Sequence, residues 1–492
     1  MPLHIATEII SRVAAPEQYG TIAAGVILLA LIHGWAQGPR LLAREERLEA
    51  AQRKARTKNQ RVALTAGLSD MHARVVLVAT GAMTPLGVVT IATLAHQGAH
   101  VIALVPDISS PDVMQMIMLL RESTRNESIY AEQCDMGDLE SISAFAARWN
   151  KGPGDQSGAR ASAAMMEQNP GQHRLDTLLF LPSDESPYLY GTSLAPGKNV
   201  YAEKSGLKGA PERSYVYEVL GRFHLVNALL PTLLVAPRDR DIRIVSAVSP
   251  WYAAGVALLD AVAAPLATSA GTKRMFEPWT WLGAVNLRWI ALMRELQQRL
   301  DALAAADPRL RARGSAVSVD EPRVIPKTDE LPRRSNISAI CVCPGFERSS
   351  QLSAFFGVVP PFAQHRLHSC FLVLLFVLFY PFIWLFGKGT SIAADAIVWA
   401  ITARIESERA MLRRIALEHS KSPERTLTEE LRAALRDDTP DSAYQWPGLT
   451  PGALYREGRM IRPPGNIGTA SLWQATEAQI EALVGVNKPK QV

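Results

Sequence analysis

At 492 residues the chain can hold two or three ordinary domains, or one large domain with insertions. Hydrophobic residues make up 48% and charged residues 20%, which suits a folded protein with membrane contact and excludes a disordered one. The net charge of +5 is small for this length, and the basic residues do not interleave with aromatics, so no nucleic-acid partner is expected. Four cysteines (Cys134, Cys341, Cys343, Cys370) are too few for a disulfide scaffold. None has the neighbours of a metal site, and a reducing, cytosol-facing location follows.

In chain order, a short N-terminal segment (1–18) precedes Tyr19–Ala36, an uncharged apolar stretch with Tyr19 and Trp35 near its ends. It reads as a transmembrane helix with interfacial aromatic anchors. Residues 37–72 form a basic helical linker carrying Arg40, Arg44, Arg47, Arg53, Lys54, Arg56, Lys58 and Arg61. The positive-inside rule then puts the main domain in the cytosol, at an endomembrane such as the endoplasmic reticulum or a lipid-droplet surface. That linker reads equally as a helix near anionic headgroups and as a solvated connector.

From Arg74 onward, apolar strands alternate with helices. Strands are expected at Arg74–Ala79, His100–Val105, up to Cys134-Asp135, Thr177–Leu181, Ile242–Val248 and Ile337–Val342. Helices are expected near Pro85–Gln97, Asp112–Glu122, Leu139–Trp149, Ser214–Leu234 and Trp281–Ala305. The pattern predicts an α/β, Rossmann-like doubly wound parallel sheet with helices on both faces, over residues 73–479. Polar insertions interrupt it at 151–172, 184–213, 307–334 and 406–441, the last adding a charged helix, and a tail follows over 480–492. A second apolar run, Cys370–Phe386, is just long enough to span, and Pro381 should kink it. Crossing would strand the residues beyond it on the wrong side of the bilayer, so an interface-embedded segment is expected.

The glycine turn after the first strand, T-G-A-M-T-P-L-G (Thr80 to Gly87), resembles that of the short-chain dehydrogenase/reductase family, notably its retinol-dehydrogenase-like membrane members. Further likenesses follow in order: D-M-G-D-L-E-S-I-S-A-F-A from Asp135, G-R-F-H-L-V-N-A-L-L-P-T-L-L from Gly221, the Arg243–Ser249 strand, R-E-L-Q-Q-R-L from Arg294, and Pro344-Gly345. The resemblance implies NAD or NADP at the first helix, where free amides and the helix dipole favour a pyrophosphate. Implied contacts are Thr80, Gly81, Gly87, Asp107, Asp135 and Ser349. Asp107 would favour NAD, and Pro106 replaces an arginine that often binds the extra phosphate in related enzymes. Pro85 stands where the family has its middle glycine and removes one amide donor; Phe180-Leu181-Pro182-Ser183 replaces N-N-A-G.

The catalytic set departs further. No tyrosine in the chain stands four residues before a lysine. Aligned on Arg294-Glu295-Leu296, the tyrosine position is Leu282, the lysine position Asn286 and the helix asparagine Glu218; only Ser249 is retained. Leucine transfers no proton and asparagine carries no charge. Tyr252 with Lys273 is a conceivable replacement pair. Three readings stay open: a membrane-anchored pseudoenzyme that binds or senses NAD(P), a divergent reductase of a lipophilic carbonyl or alcohol, and a structural membrane protein with neither site. Membrane lipid, a lipophilic small molecule and a second copy in a homodimer are the expected partners.

Overall fold

The protein is described here from a computed structural model, which covers residues 19–44, 47, 70–151, 174–182, 215–237, 240–258, 278–306, 334–348, 366–406, 411, 448–463 and 469–485. The expected charged helix over 406–436 and most of the four insertions lie outside the described residues.

The centre is an eight-stranded sheet in the order β3-β2-β1-β4-β5-β6-β7-β8. Its strands are β1 (Val75–Thr80), β2 (His100–Val105), β3 (Ile129–Gln133), β4 (Thr177–Phe180), β5 (Ile242–Ala247), β6 (Ile337–Cys343), β7 (Leu454–Arg456) and β8 (Arg459–Ile461). All neighbours pair in parallel except β7 with β8. The central strands are buried on both faces, which is why β1, β5 and β6 read as continuous apolar runs instead of alternating ones. Reversal of strand order between β1 and β4 opens a crevice at their carboxyl ends, the usual ligand position in such sheets.

Helices cover both faces. On one side lie α2 (Pro85–His96), α3 (Pro111–Thr124) and α8 (Thr390–Thr402), with Leu86, Ile91, Leu94, Ile117 and Ile397 in their core. On the other lie α4 (Leu139–Lys151), α5 (Arg222–Val235), α6 (Pro278–Ala306) and α9 (Thr469–Gly485), packed through Phe145, Phe223, Trp289, Leu296 and Trp473. The Rossmann-like α/β expectation therefore stands. Buried Asp176 ties β4 to β1, accepting from the Val75 amide (2.9 Å) and pairing with Arg174 (2.7 Å).

Several boundaries differ from expectation. The helix expected over Ser214–Leu234 begins as a π-helical turn, Val216–Gly221, before α5. A 3-10 helix, Pro250–Leu258, follows β5 and was not anticipated. Helix α8, the β7–β8 hairpin and α9 complete the sheet beyond the second apolar run. Residues 480–485, set apart as tail, belong to α9, whose Ile480 is buried against the core.

The apolar segments form α1 (Tyr19–Gln37) and α7 (Arg366–Phe386), and Pro381 sits inside α7 without ending it. The two pack together: the His33 and Trp384 rings stack at 4.2 Å, and the Gln37 side chain bridges the Gly387 carbonyl and the Gly389 amide, each at 2.9 Å. Among the described residues, the one helical stretch long and apolar enough to cross a membrane by composition is Val216–Val235, and over half of it is buried. It is a core helix.

Helix α5 is fastened to α4 through His224, whose Nε2 lies 2.7 Å from the Ser143 hydroxyl. Burial holds the His224 imidazole below its usual range. Protonation therefore favours the unfolded chain: this contribution is complete above about pH 6.5 and is lost as pH falls toward the folded-state value. The melting temperature of the native chain should drop more steeply than that of His224→Gln between neutral and mildly acidic pH. Parallel curves would contradict it.

Candidate functional site

The glycine turn after β1 is built as a close-approach turn. Gly81 has φ +65°, and a Cβ there would lie 2.3 Å from the Pro182 carbonyl oxygen. At Gly87 a Cβ would meet the Gly81 carbonyl at 2.0 Å, so only glycine lets α2 start this close to β1. Thr84 caps α2: its hydroxyl accepts from the Gly87 amide (3.0 Å) and donates to the Gly81 carbonyl (2.7 Å). The Val88 amide goes to the Thr84 carbonyl (2.8 Å), and Pro85, exposed at the first helical position, has none. The Leu86 amide is the first-turn donor that remains for an anion. Thr80 donates from its hydroxyl to the Leu181 carbonyl (2.6 Å), tying β1 to the loop after β4.

Asp107 is exposed just past β2. Its Oδ1 accepts from both the amide (2.8 Å) and hydroxyl (2.5 Å) of Ser109, which hold its carboxyl below the usual carboxylate range and leave Oδ2 outward. A charged carboxylate at this point suits a ribose diol and repels a 2′-phosphate. Asp135 accepts from the Gly137 amide (2.8 Å), while burial pushes its carboxyl upward. Ser349 and Lys273 lie outside the described residues.

At the other end of the crevice, the retained serine and the two replaced positions come together. The Ser249 amide donates to Asn286 Oδ1 at 3.0 Å, and the Asn286 amide group donates back to the Leu282 carbonyl at 2.8 Å. Ser249, Leu282 and Asn286 are all buried. Asn286 is thus a brace for the end of β5. The 3-10 helix packs directly on this turn of α6 at a glycine–glycine contact, where a Cβ on Gly255 would lie 2.3 Å from Gly283 backbone.

Glu218 is not the exposed helix residue that its position allows. It sits buried in the π-helical turn and pairs with Arg222, one helical turn on. Arg222 is 1% exposed, donates to the Leu181 carbonyl (3.2 Å) and lies beside the edge-to-face pair of Phe180 (5.8 Å) and Trp289 (5.9 Å), whose rings meet at 5.6 Å. Trp289 in turn donates to the Ser246 hydroxyl at 2.7 Å. Burial raises the Glu218 carboxyl and the Arg222 charge opposes that rise. The Glu-x-x-x-Arg spacing was legible in the sequence; its burial was not.

Burial pushes the Cys134 and Cys341 thiols up to about 12 and raises that of Cys343, so these three offer no nucleophile. Tyr252, three residues beyond Ser249, is buried; desolvation raises its phenol and the Arg456 charge opposes that rise. No group of three metal-ligating side chains occurs among the described residues.

No family model matches the chain. It is 25% identical over 332 residues to a Saccharomyces cerevisiae protein named uncharacterized oxidoreductase YNL181W, covering 67% of this chain and 68% of that one. It is also 25% identical over 331 residues to the Schizosaccharomyces pombe protein named uncharacterized oxidoreductase pbr1, covering 67% and 70%. Among solved structures, the short chain dehydrogenase from Shigella flexneri is similar with a TM-score of 0.34 and 15% identity, over 66% of this chain and 92% of that one.

Removing one partner of a buried ion pair leaves the other charge uncompensated. Arg222→Met is expected to cost about 3–5 kcal/mol in denaturant unfolding. Glu218→Leu combined with Arg222→Met should cost less than Arg222→Met alone. A double variant weaker than the single one would show that the aromatic contacts, not the charge pair, carry the site.

Proposed function

We propose that this chain is a membrane-held protein of the short-chain dehydrogenase/reductase type that binds a nicotinamide dinucleotide and has lost the family's proton-transfer pair. Its output is then nucleotide occupancy, as a scaffold or sensor, and not turnover. The observation that carries this reading is the Ser249–Asn286 hydrogen bond: the lysine position braces backbone, and the tyrosine position is an aliphatic side chain on the same turn. The nucleotide end fits its ligand better. Gly81, the Leu86 amide and the charged Asp107 would hold the adenosine and pyrophosphate, with NAD favoured over NADP. A bound nicotinamide would supply or accept hydride; the chain would still have to move a proton beside Ser249. The names of the yeast relatives agree with an oxidoreductase ancestry.

In this proposal α1 and α7 hold the protein at an endomembrane with the sheet domain in the cytosol. Calorimetric titration of the full chain in detergent with NAD, NADH, NADP and NADPH tests the nucleotide claim. Binding should favour the unphosphorylated pair, and Asp107→Ala should narrow that preference; absence of any binding would remove the sensor reading.

One observation favours the divergent reductase instead. The Tyr252 phenol, three residues beyond Ser249, is a buried oxygen acid that desolvation keeps protonated, with the Arg456 charge opposing that rise. Turnover with retinoid, steroid or long-chain ketone substrates, abolished by Tyr252→Phe and by Ser249→Ala, would establish that reading. The pseudoenzyme reading expects no hydride transfer from the native chain with any of them.

A further inference from the structure

Helices α1 and α7 deliver their C-termini to the same corner of the sheet domain, and so run parallel. His33 meets Trp384 and Gln37 meets Gly387 and Gly389 in register. At about 1.5 Å per residue, the 19 and 21 residues of the two helices reach roughly 28 and 31 Å from that corner. Away from their contact they expose Val26, Ile27, Leu28, Leu29 and Leu31 on one, and Leu374, Leu378 and Phe382 on the other. An apolar surface of this kind needs a covering, and charge at its base says which.

Where the helices end, cations gather from three separate parts of the chain. Arg40, Arg44 and Arg47 are exposed and, with Ala43, line a cavity of about 440 Å³. The short helical turn carrying them is fixed to the domain, because Asp395 Oδ2 accepts from the Leu41 (2.6 Å) and Leu42 (3.3 Å) amides. Beside it lies the β7–β8 turn, where Gly458 approaches Leu41 so closely that a Cβ would meet its Cδ2 at 2.8 Å. That hairpin exposes Arg459 and Arg462, and its acid, Glu457, is occupied by Lys388 at 2.7 Å. Arg348 lies over the Trp384 ring at the foot of α7. Glu45 and Glu46 stand between Arg44 and Arg47 and Glu49 follows, matching the three arginines in number within residues 40–49, so the corner's positive excess comes from Arg348, Arg459 and Arg462.

We propose that this basic collar, centred on Arg40, Arg44 and Arg47, binds the phosphate groups of anionic phospholipids where α1 enters the bilayer with α7 packed at its foot, seating the sheet domain flat on the membrane. The proposal rests on the membrane reading above and adds to it a lipid class and a docking face. Guanidinium forks match phosphate oxygens, and each basic side chain near an anionic surface strengthens attachment about fivefold.

The full chain, diluted from detergent onto vesicles, tests it by flotation. The native protein should float with vesicles of phosphatidylcholine alone and several-fold more with vesicles containing phosphatidylserine, the excess fading at high salt. Arg40→Glu/Arg44→Glu/Arg47→Glu should lose that excess and float with neutral vesicles as before. An unchanged excess in the triple variant would overturn the collar, as would a native protein indifferent to lipid charge. Loss of the excess to inorganic phosphate, but not to chloride at equal ionic strength, would assign the site to free phosphate and overturn the lipid. A native chain that floats with no vesicle and elutes as a stable dimer would place a second copy on the helices, and the membrane reading itself would fall.

Discussion

A single buried cation organises the centre of this molecule. Arg222 reaches the Leu181 carbonyl after β4, lies against the edge-to-face pair of Phe180 and Trp289, and is neutralised by Glu218 from the preceding turn. Trp289 continues the chain of contacts to Ser246 on β5. Four elements, β4, the π-helical turn with α5, β5 and α6, are thereby fixed around one charge that the interior tolerates only while all its partners stay in place. π-Helical turns recur at functional sites because they re-aim one side chain without breaking the helix. Here the re-aimed side chain is an acid committed to a neighbouring arginine, so it is not free to relay protons.

That commitment gives the two ends of the crevice different characters. The β1 end keeps the geometry of an anion cradle: a left-handed Gly81, a side-chain-free contact at Gly87 and a capped helix start. The β5 end is a packed interior, with Asn286 bracing Ser249 and the Gly255–Gly283 contact closing over the same turn. The two ends are separable in this architecture, because they lie on opposite sides of the strand-order reversal.

Much of the fold was legible in the sequence. Continuous apolar strands separated by amphipathic helices carry their own periodicity, and β1 to β6 with α2 to α6 fall close to where that pattern put them. What escaped was short or decided by tertiary contact. Strands β7 and β8 span three residues each, too few for a period; the 3-10 helix after β5 is held by its glycine contact with α6; the last turn of α9, residues 480–485, fell in the expected tail although Ile480 packs on the core. At the site, the resemblance anchored on Arg294-Glu295-Leu296 singled out Leu282 and Asn286, whereas the burial of Glu218 and the hydrogen bond from Ser249 to Asn286 depend on elements distant in sequence. The pairing of α1 with α7 could not be read from either stretch alone, since it joins residues some 350 positions apart.

The central claim is that the cradle for a dinucleotide persists without the groups that would move its proton. Amide hydrogen exchange of the full chain with and without NADH, with the nicotinamide monitored in the same sample, addresses both halves together. The account predicts slowed exchange at Gly81–Gly87 and around Asp107, with NADH left unconsumed in the presence of carbonyl substrates. Unchanged exchange across the glycine turn, or NADH oxidised in step with substrate, would contradict it.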